Sequence, residues 1–343
     1  MENSDPKKLV QYLTDETPLK AEHIRAGRNS RVFRVDCKSG RSLLAKFYLQ
    51  HTADGRSRLE QEWTALKFMA GSGITNIPRP LKFDESAQGA IYSFIIGNPI
   101  KETTLQDIEE VLSFLAELKD ISILPAAIDL PNAAEACFSP AEVAGNIKSR
   151  LEKLQALPAE DEVYQSMHSF LENKFLPALE ECIGNAKQDF PDELWTAPLP
   201  RSNRSLSPSD FGFHNALRTD NGLAFVDFEY FGWDDPVKAT SDFLLHPAMD
   251  LSAQQMVTFF AGMKNIFERD ESFVLRFKSY LPLFHLKWSM ILLNEFISQH
   301  LERREFASGD VGKHKTLRAQ QLEKAENFLN KNRQILTVLN LRN

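Results

Sequence analysis

The stretch SPSDFGFHNALRTDNGLAFVDFEY, residues 207–230, decides the fold of this chain. It places Asp210 five residues before Asn215, and Asp227 follows Asn215 by twelve residues. The apolar run before Asp227 predicts a strand, and Asn221-Gly222 predicts a tight hairpin turn that brings the two acidic ends of the stretch together. A carboxylate, an amide and a second carboxylate at this spacing are what phosphoryl transfer from a magnesium nucleotide needs.

The same spacing predicts a role for each of the three residues. In this chemistry one carboxylate orients the attacking hydroxyl and accepts its proton, while an amide oxygen and a second carboxylate hold the metal ion. The triplet Asp210-Phe211-Gly212 spells the sequence with which protein kinases hold metal, but no aspartate a short way upstream is followed by asparagine at the required distance. We therefore predict Asp210 as the catalytic residue, and Asn215 and Asp227 as ligands of Mg²⁺.

The first hundred residues contain a complementary set of nucleotide-binding candidates. Gly27, Asn29 and Ser30 lie in a turn before a strand-like run, where backbone N–H groups could cover phosphates. Lys46 follows three apolar residues in a predicted strand, from which its ammonium group could reach the α- and β-phosphates. A lysine in an apolar strand is costly unless it is paired, and Glu62 in the next predicted helix is its natural partner.

The hydrophobic pattern divides the chain into two unequal parts. Short strand-like runs around residues 31–35 and 42–48 precede a predicted helix over 56–70. Later periodicities are mostly helical, apart from the hairpin described above. We predict an α+β, bilobal fold with a β-rich nucleotide-binding lobe over residues 1–97. A helical lobe over 98–343 would carry the catalytic and metal-binding loops and the substrate pocket.

Composition narrows the class of protein further. The 343 residues carry 40 Lys and Arg against 47 Asp and Glu, and this net charge of −7 argues against a nucleic-acid binder. Cys37, Cys137 and Cys182 lie far apart, which favours a reducing compartment over a disulfide framework or zinc site. The amino terminus is polar, and no apolar run approaches the roughly 20 residues that cross a bilayer. We expect a cytoplasmic protein without a membrane, nucleic-acid or obligate protein partner.

Longer motifs around the central stretch resemble a known family. The chain is similar to the aminoglycoside phosphotransferases and choline kinase-like enzymes, small-molecule relatives of the protein kinases, from about Ile24 to Pro247. The run Asp227-Phe228-Glu229-Tyr230 resembles choline-type kinases, and Gly232-Trp233-x-Asp235-Pro236 resembles the aminoglycoside branch. The resemblance implies a protein-kinase-like fold, ATP and Mg²⁺ as cofactors, and transfer to a hydroxyl of an amino alcohol, aminoglycoside or sugar-like acceptor.

The resemblance also implies roles for individual residues. By it Asp210 is the catalytic base, Lys46 contacts phosphates with Glu62 as partner, and Asn215 and Asp227 hold Mg²⁺. Adenine would bind to backbone groups of the segment Ser93, Phe94 and Ile95. Two departures from the family pattern motivate an alternative, a nucleotide-binding pseudokinase or scaffold without transfer activity. Pro208 stands where the family usually has histidine, and the phosphate turn has a single glycine.

Other polar residues have open or structural interpretations. A metal-dependent hydrolase is a third alternative, but His214 lacks further ligands at metal-binding spacing, so we predict it as a packed or solvent-facing loop residue. Glu229 is either close to the metal or substrate, or a surface charge at a strand end. Asp235 and Asp242 are predicted to be structural.

The segment 284–297 near the end of the chain is predicted to be an amphipathic or buried helix. Its polar positions, which we expect to be exposed, are Lys287, Asn294 and Glu295. Such positions could line a substrate cleft.

Overall fold

A computed structural model of the protein describes residues 5–24, 30–49, 55, 57–298, 314–330 and 334–341. The first part of the chain is built on one antiparallel sheet. Its helices and strands are α1 (Pro6–Leu13), β1 (Pro18–Ile24), β2 (Ser30–Cys37), β3 (Ser42–Tyr48), α2 (Arg58–Gly71), β4 (Pro80–Asp84) and β5 (Gly89–Ser93). The strand order in the sheet is β1-β2-β3-β5-β4. The prediction of a β-rich first part is therefore confirmed.

The side chains of β3 alternate between the two faces of this sheet, as a strand period of two requires. Leu43, Ala45 and Phe47 form a small core with Leu9 and Val10 of α1. The opposite face carries Lys46 and Tyr48, and Tyr48 belongs to a larger core that includes residues of α2. Lys46 therefore points from a buried strand toward α2 and toward the second part of the chain.

The second part of the chain is mainly helical. Its helices are α3 (Leu105–Ile121), α4 (Pro140–Gln155), α5 (Glu162–Phe170), α6 (Leu176–Asp189), α7 (Asp192–Trp195), α8 (Pro236–Leu245), α9 (Ala253–Ile266), α10 (Phe273–Ile291), α11 (His314–Asn330) and α12 (Gln334–Val338). A π-helical turn, Leu171–Phe175, joins α5 to α6. Among the helices that the structure describes, none is long and apolar enough to cross a membrane.

In the part of the chain that the structure describes, five short strands interrupt these helices and position the central stretch. They are β6 (Asn98–Pro99), β7 (Ser205–Ser207), β8 (Ala216–Thr219), β9 (Gly222–Phe225) and β10 (Gly232–Asp234). The predicted hairpin is β8 and β9, and β6 pairs with β8, which attaches the segment after β5 to the hairpin. β7 pairs antiparallel with β10. Asp210 therefore follows β7, and Asp227 lies between β9 and β10.

A cluster of aromatic rings fixes the hairpin to the helical core. Phe114 of α3 stacks on Phe225 with ring centroids 4.3 Å apart, and it also packs against Phe211 at 5.8 Å. Phe211 and Phe225 contact each other at 5.3 Å. Because these phenylalanines neighbour the predicted catalytic and metal-binding loops, the core holds both loops in a fixed relation. The lobe boundary between residues 97 and 98 stays a prediction.

Candidate active site

A buried ionic cluster surrounds Lys46. Its Nζ lies 2.6 Å from Glu62 Oε2 and 2.7 Å from Asp227 Oδ1. Glu229 Oε2 lies 3.7 Å from the same nitrogen. Burial alone would lower the pKa of Lys46, but the carboxylates of Asp227, Glu62 and Glu229 outweigh burial and raise that pKa well above its ordinary value. The ammonium group is therefore charged, and three sequence-predicted site residues, Lys46, Glu62 and Asp227, are in direct contact.

Glu62 is held on several sides. Its Oε2 accepts a hydrogen bond from the Tyr48 hydroxyl at 2.7 Å, and that hydroxyl is 2.7 Å from the hydroxyl of Tyr92. Its Oε1 accepts from the backbone N–H of Phe228 at 3.1 Å. Glu62 thus joins β3, α2 and the backbone just after Asp227.

Glu229 belongs to this buried cluster and is not a surface charge. Its side chain is 1% exposed, and its Oε1 accepts a 2.6 Å bond from Arg58 at the start of α2. Burial, followed by the Asp227 carboxylate, raises the pKa of Glu229 to about 7, against the opposing effect of Lys46 and Arg58. The interpretation of Glu229 as a strand-end surface charge is therefore wrong.

The backbone at Asp227 has an uncommon conformation. Its φ is 68°, in the left-handed region that residues other than glycine rarely adopt. This turn comes two residues after β9 ends at Phe225, and it accompanies the contact between the carboxylate and Lys46. Such a conformation persists only where surrounding contacts enforce it, and it is often found at functional sites.

Asn215 connects the two acidic ends of the central stretch. Its side-chain Nδ2 donates to the backbone oxygen of Asp210 at 3.0 Å. Its own backbone oxygen accepts from Val226 N–H at 2.9 Å, one residue before Asp227. Because the side-chain nitrogen of Asn215 donates this hydrogen bond, its side-chain oxygen is the atom that can act as a metal ligand.

Two histidines lie against the Asp210 carboxylate. His214 donates from Nε2 to Asp210 Oδ1 at 3.0 Å, and its ring stacks on that of His246 with centroids 4.0 Å apart. The N–H of Ala248 donates to His246 Nδ1, so the neutral ring carries its proton on Nε2, which lies 3.9 Å from the same oxygen of Asp210. Both imidazoles thus face Oδ1 of Asp210. The prediction of His214 as a packed or solvent-facing loop residue missed this contact.

Among the residues that the structure describes, two groups of side chains have the proximity that a metal ion requires. Glu62, Asp227 and Glu229 form one, and Asp210, His214 and His246 form the other, each with ligand atoms within 4.8 Å of one another. The three carboxylates are the oxygen ligands that Mg²⁺ prefers. In the second group the proton on His246 Nε2 occupies the lone pair that a metal would need, so this arrangement favours hydrogen bonding to Asp210.

The predicted adenine segment follows the central part of the sheet. Ser93 ends β5, and its hydroxyl accepts from the N–H of Arg79 at 2.8 Å. The Phe94 ring lies beneath the guanidinium group of Arg34 at 5.0 Å, and Ile95 is partly buried. These residues thus lead from β5 of the sheet toward β6 beside the hairpin.

Only part of the predicted phosphate-covering turn can be placed. Gly27 and Asn29 lie outside the described residues. Ser30 is buried at the start of β2, where it pairs with Tyr48 at the end of β3. It is therefore on the strand beside Lys46, two residues along the ladder from the lysine's own partner.

The acidic residues after the hairpin have structural contacts. Asp235 caps α8 by accepting from the N–H of Val237 at 2.8 Å, and both its oxygens accept from Arg276 at 3.0 Å. Asp242 accepts from Trp288 Nε1 at 2.8 Å and pairs with Lys238 at 3.2 Å. These contacts agree with the prediction that both aspartates are structural.

The comparisons with known proteins identify the family. The family model described as "Phosphotransferase enzyme family" matches residues 20–238, which is more than half of the chain. The chain belongs to this phosphotransferase family. The predicted enzyme class is thereby confirmed. A comparison with curated proteins found no match.

Solved structures with the same fold include both branches that the sequence resembles. The AMP-bound complex of spectinomycin phosphotransferase APH(9)-Ia has a TM-score of 0.63 and 13% identity, over 96% of this chain and 98% of its own. The gentamicin–APH(2″)-IIa complex has a TM-score of 0.59 and 16% identity, over 99% of each chain. A choline/ethanolamine kinase family protein from Mesorhizobium loti has 0.58 and 15%, over 94% and 93%. The phosphotransferase therefore has the bilobal, protein-kinase-like α+β fold.

Proposed function

We propose that this phosphotransferase transfers the γ-phosphoryl group of ATP, bound with Mg²⁺, to a hydroxyl of a small molecule. The observation that carries the proposal is the buried contact of one charged lysine, Lys46, with both Glu62 and Asp227. The sequence predicted Glu62 as the partner of Lys46 and, separately, Asp227 as a metal ligand. A strand, a helix and a loop must converge to bring the three side chains together. A separate loop holds Asp210 near the same hairpin through Asn215.

The donor atoms of the cluster suit a magnesium ion. Asp227 and Asn215 would hold it, and Glu229 contributes a further carboxylate close to Asp227. A magnesium ion held by these residues would supply positive charge against the phosphate oxygens of the nucleotide. Lys46 adds a charge that does not depend on the metal, and Glu62 keeps its ammonium group in place.

Asp210 is proposed to orient the acceptor hydroxyl and to take its proton. The acceptor oxygen forms a bond to the γ-phosphorus, and the bond between that phosphorus and the β–γ bridging oxygen breaks. ADP leaves with the electron pair of the broken bond, and the hydroxyl proton passes to the Asp210 carboxylate. His214 and His246 act as positioning residues, because both face Oδ1 of Asp210 and thereby fix its orientation.

Nucleotide contacts in the first part of the chain remain proposals. Gly27, Asn29 and Ser30 would cover the phosphates, and Ser93, Phe94 and Ile95 would bind adenine through their backbone. Support comes from the related folds solved with AMP, and in the case of APH(2″)-Ib with ADP. The cytoplasmic location and the small-molecule acceptor likewise belong to this proposal.

Thermal-shift titration with ATP, with and without Mg²⁺, followed by an ADP-release screen over hydroxylated metabolites, tests the proposal. Wild type should bind Mg–ATP and release ADP with at least one acceptor, and Asp210→Asn should bind without releasing it. Asp220→Asn, an exposed carboxylate in the hairpin turn, is the matched control. Binding of Mg–ATP with no turnover on any acceptor, and no effect of Asp210→Asn, would instead support a scaffold.

A further inference from the structure

A short segment before α4 lies directly against the catalytic loop. The hydroxyl of Ser209, next to Asp210, donates to the backbone oxygen of Ala134 at 3.2 Å. The segment also packs closely against β10. Gly232 permits this approach because it has no side chain, and a Cβ there would lie 2.4 Å from the backbone oxygen of Pro131. Glu135, the residue after Ala134, is therefore held near the predicted catalytic residue.

Glu135 is the centre of a charged cluster that the proposed mechanism does not use. Its Oε1 accepts from Arg150 of α4, and its Oε2 lies 2.9 Å from Nζ of Lys287 on α10. Arg150 also donates to Asn294 Oδ1 at 3.1 Å. The side chain of Glu135 is 35% exposed whereas that of Lys287 is 4% exposed, so the cluster opens to solvent on its acidic side.

A second chain of contacts places this cluster on the helical side of Asp210. Trp288, adjacent to Lys287, packs its ring against His246 at 4.6 Å. His246 in turn lies 3.9 Å from Asp210 Oδ1. The nucleotide candidates around Lys46 lie on the sheet side, whereas the Glu135 cluster is connected to Asp210 through α10 and His246 and through the contact between Ala134 and Ser209.

The charge balance of the cluster selects the chemistry of its ligand. Arg150 and Lys287 share one carboxylate, which leaves the trio with a net charge of +1. Arg150 Nε is buried and has no hydrogen-bond partner among the residues that the structure describes. An ammonium group would meet a carboxylate whose charge is already cancelled, whereas an oxyanion would find an unused donor and excess positive charge.

We propose that Arg150 and Lys287 form the binding site for an oxyanion of the acceptor, a carboxylate or a phosphate group carried beside the reacting hydroxyl. This inference rests on the proposed function, because it names the acceptor class of the same active site. In the structure the Glu135 carboxylate takes the position of that oxyanion. Its backbone has φ of 55°, a strained conformation for glutamate, and its partly exposed side chain can turn toward solvent when the acceptor binds.

Binding of simple anions to the full chain tests the site directly. Malonate and inorganic phosphate represent the two oxyanion sources, and ethanolamine and choline are matched cations, each titrated by calorimetry at constant ionic strength with Mg–ADP present and absent. We expect one or both anions to bind wild type, and roughly 10- to 100-fold more weakly to Arg150→Met and Lys287→Met, because each loses a charged hydrogen bond. Malonate binding alone would identify a carboxylate site, and phosphate binding alone a phosphate site.

Glu135→Gln gives the opposite prediction and keeps the test valid if the other variants fold poorly. Removing the competing carboxylate should tighten anion binding about tenfold, by the same energetic argument. Lys148→Met, which removes an exposed cation from the same helix as Arg150, should leave the anion affinity unchanged. Equal anion affinity in wild type and Glu135→Gln would overturn the inference. So would ethanolamine binding that Glu135→Gln abolishes.

Turnover separates a failure of this inference from a failure of the proposed function. The ADP-release screen should favour hydroxy acids or phosphorylated alcohols over ethanolamine, choline and neutral polyols. Turnover of only cationic or neutral acceptors would refute the oxyanion site and leave the proposed function intact. Absence of Mg–ATP binding would refute the proposed function, while the anion titrations would still decide whether Arg150 and Lys287 form an oxyanion site.

Discussion

The two acidic ends of the central stretch differ more in their neighbours than in their own exposure, which is 26% for Asp227 and 38% for Asp210. Around Asp227, the side chains of Lys46 and Glu62 are 5% and 4% exposed, and every charge has a partner of opposite sign. The side chain of Asp210 is 38% exposed and lies against the imidazoles of His214 and His246. The buried ion pairs around Lys46 hold the groups that we propose to bind the nucleotide in one geometry, whereas the more exposed carboxylate of Asp210 would allow the proposed acceptor to approach.

We therefore expect substitutions in the ion pairs around Asp227 to change both stability and catalysis. Substitutions at Asp210 should change catalysis with little effect on stability. Removing one member of a buried ion pair leaves a charge without water or a partner, which strongly destabilises the fold. Removing a partly exposed charge leaves its neighbours solvated and costs little stability. Four substitutions test the contrast, in order of decreasing effect.

Asp210→Asn should produce the largest functional loss. The amide keeps the shape of the side chain but cannot accept the acceptor proton, so we expect kcat to fall roughly 10²- to 10⁴-fold. The melting temperature should change little, because the carboxylate is partly exposed. Steady-state ADP release and thermal melting measure the two effects. A large loss of melting temperature would show that Asp210 is as structurally coupled as Asp227.

Arg58→Met should mainly reduce stability. It removes the 2.6 Å partner of Glu229, whose side chain is 1% exposed, so unfolding free energy should fall by about 3–5 kcal/mol. Denaturant titration measures the loss, and Lys67→Met, an exposed lysine on the same helix, is the matched control. Adding Glu229→Gln should restore part of the stability. Equal stability of Arg58→Met and the control would contradict the view that the buried ion pair of Arg58 and Glu229 stabilises the fold.

His285 provides the same contrast for histidine, because it is buried whereas the His214 side chain beside Asp210 is 24% exposed. His285 is 3% exposed on α10, and burial lowers its pKa from 6.5 to about 4. Between these two pH values the unfolded chain binds more protons than the folded chain, so stability falls as pH falls. His285→Leu should remove that loss, which reaches about 2–3 kcal/mol at pH 4. Denaturant titrations of both proteins at pH 7 and pH 4.5 check it, and parallel pH dependence would contradict it.

His214→Ala should have the smallest effect of the four, and it should be confined to catalysis. Losing one hydrogen bond to the Asp210 carboxylate should lower kcat roughly tenfold with KM little changed. His214→Gln retains an N–H donor and should recover most of the activity. The pH profile of kcat should also shift in the alanine variant, because the environment of the proposed base changes. A change in KM alone would indicate an acceptor contact instead of positioning.

Contacts within the central stretch could be predicted from the sequence because the residues that make them are only a few positions apart. The predicted catalytic loop, the turn and the predicted metal-binding end are all contained in residues 207–230, and Asn215 connects the backbone at Asp210 to that at Val226. Strand β1 escaped prediction because its exposed and half-buried residues show little alternation.

Lys287 and Glu295 were expected to be exposed and this was wrong, since both are buried. The helical pattern of the sequence shows that Lys287 is polar, but it cannot show that the distant carboxylate of Glu135 pairs with it and allows it to be buried.

By itself, then, the sequence determined the β-rich first part, the mainly helical second part with its hairpin, and the order of the candidate residues, because hydrophobic period and turn chemistry act over a few residues. The kinase-like fold was implied by the resemblance of its motifs to a known family. The tertiary structure decided which charges meet. Lys46 and Asp227 are 181 residues apart, and their 2.7 Å contact depends on how the sheet packs on the helical half. The same holds for His246 against Asp210, and for Arg150 and Lys287 around Glu135. Electrostatic interactions depend on distance and burial, and both are properties of the packed chain.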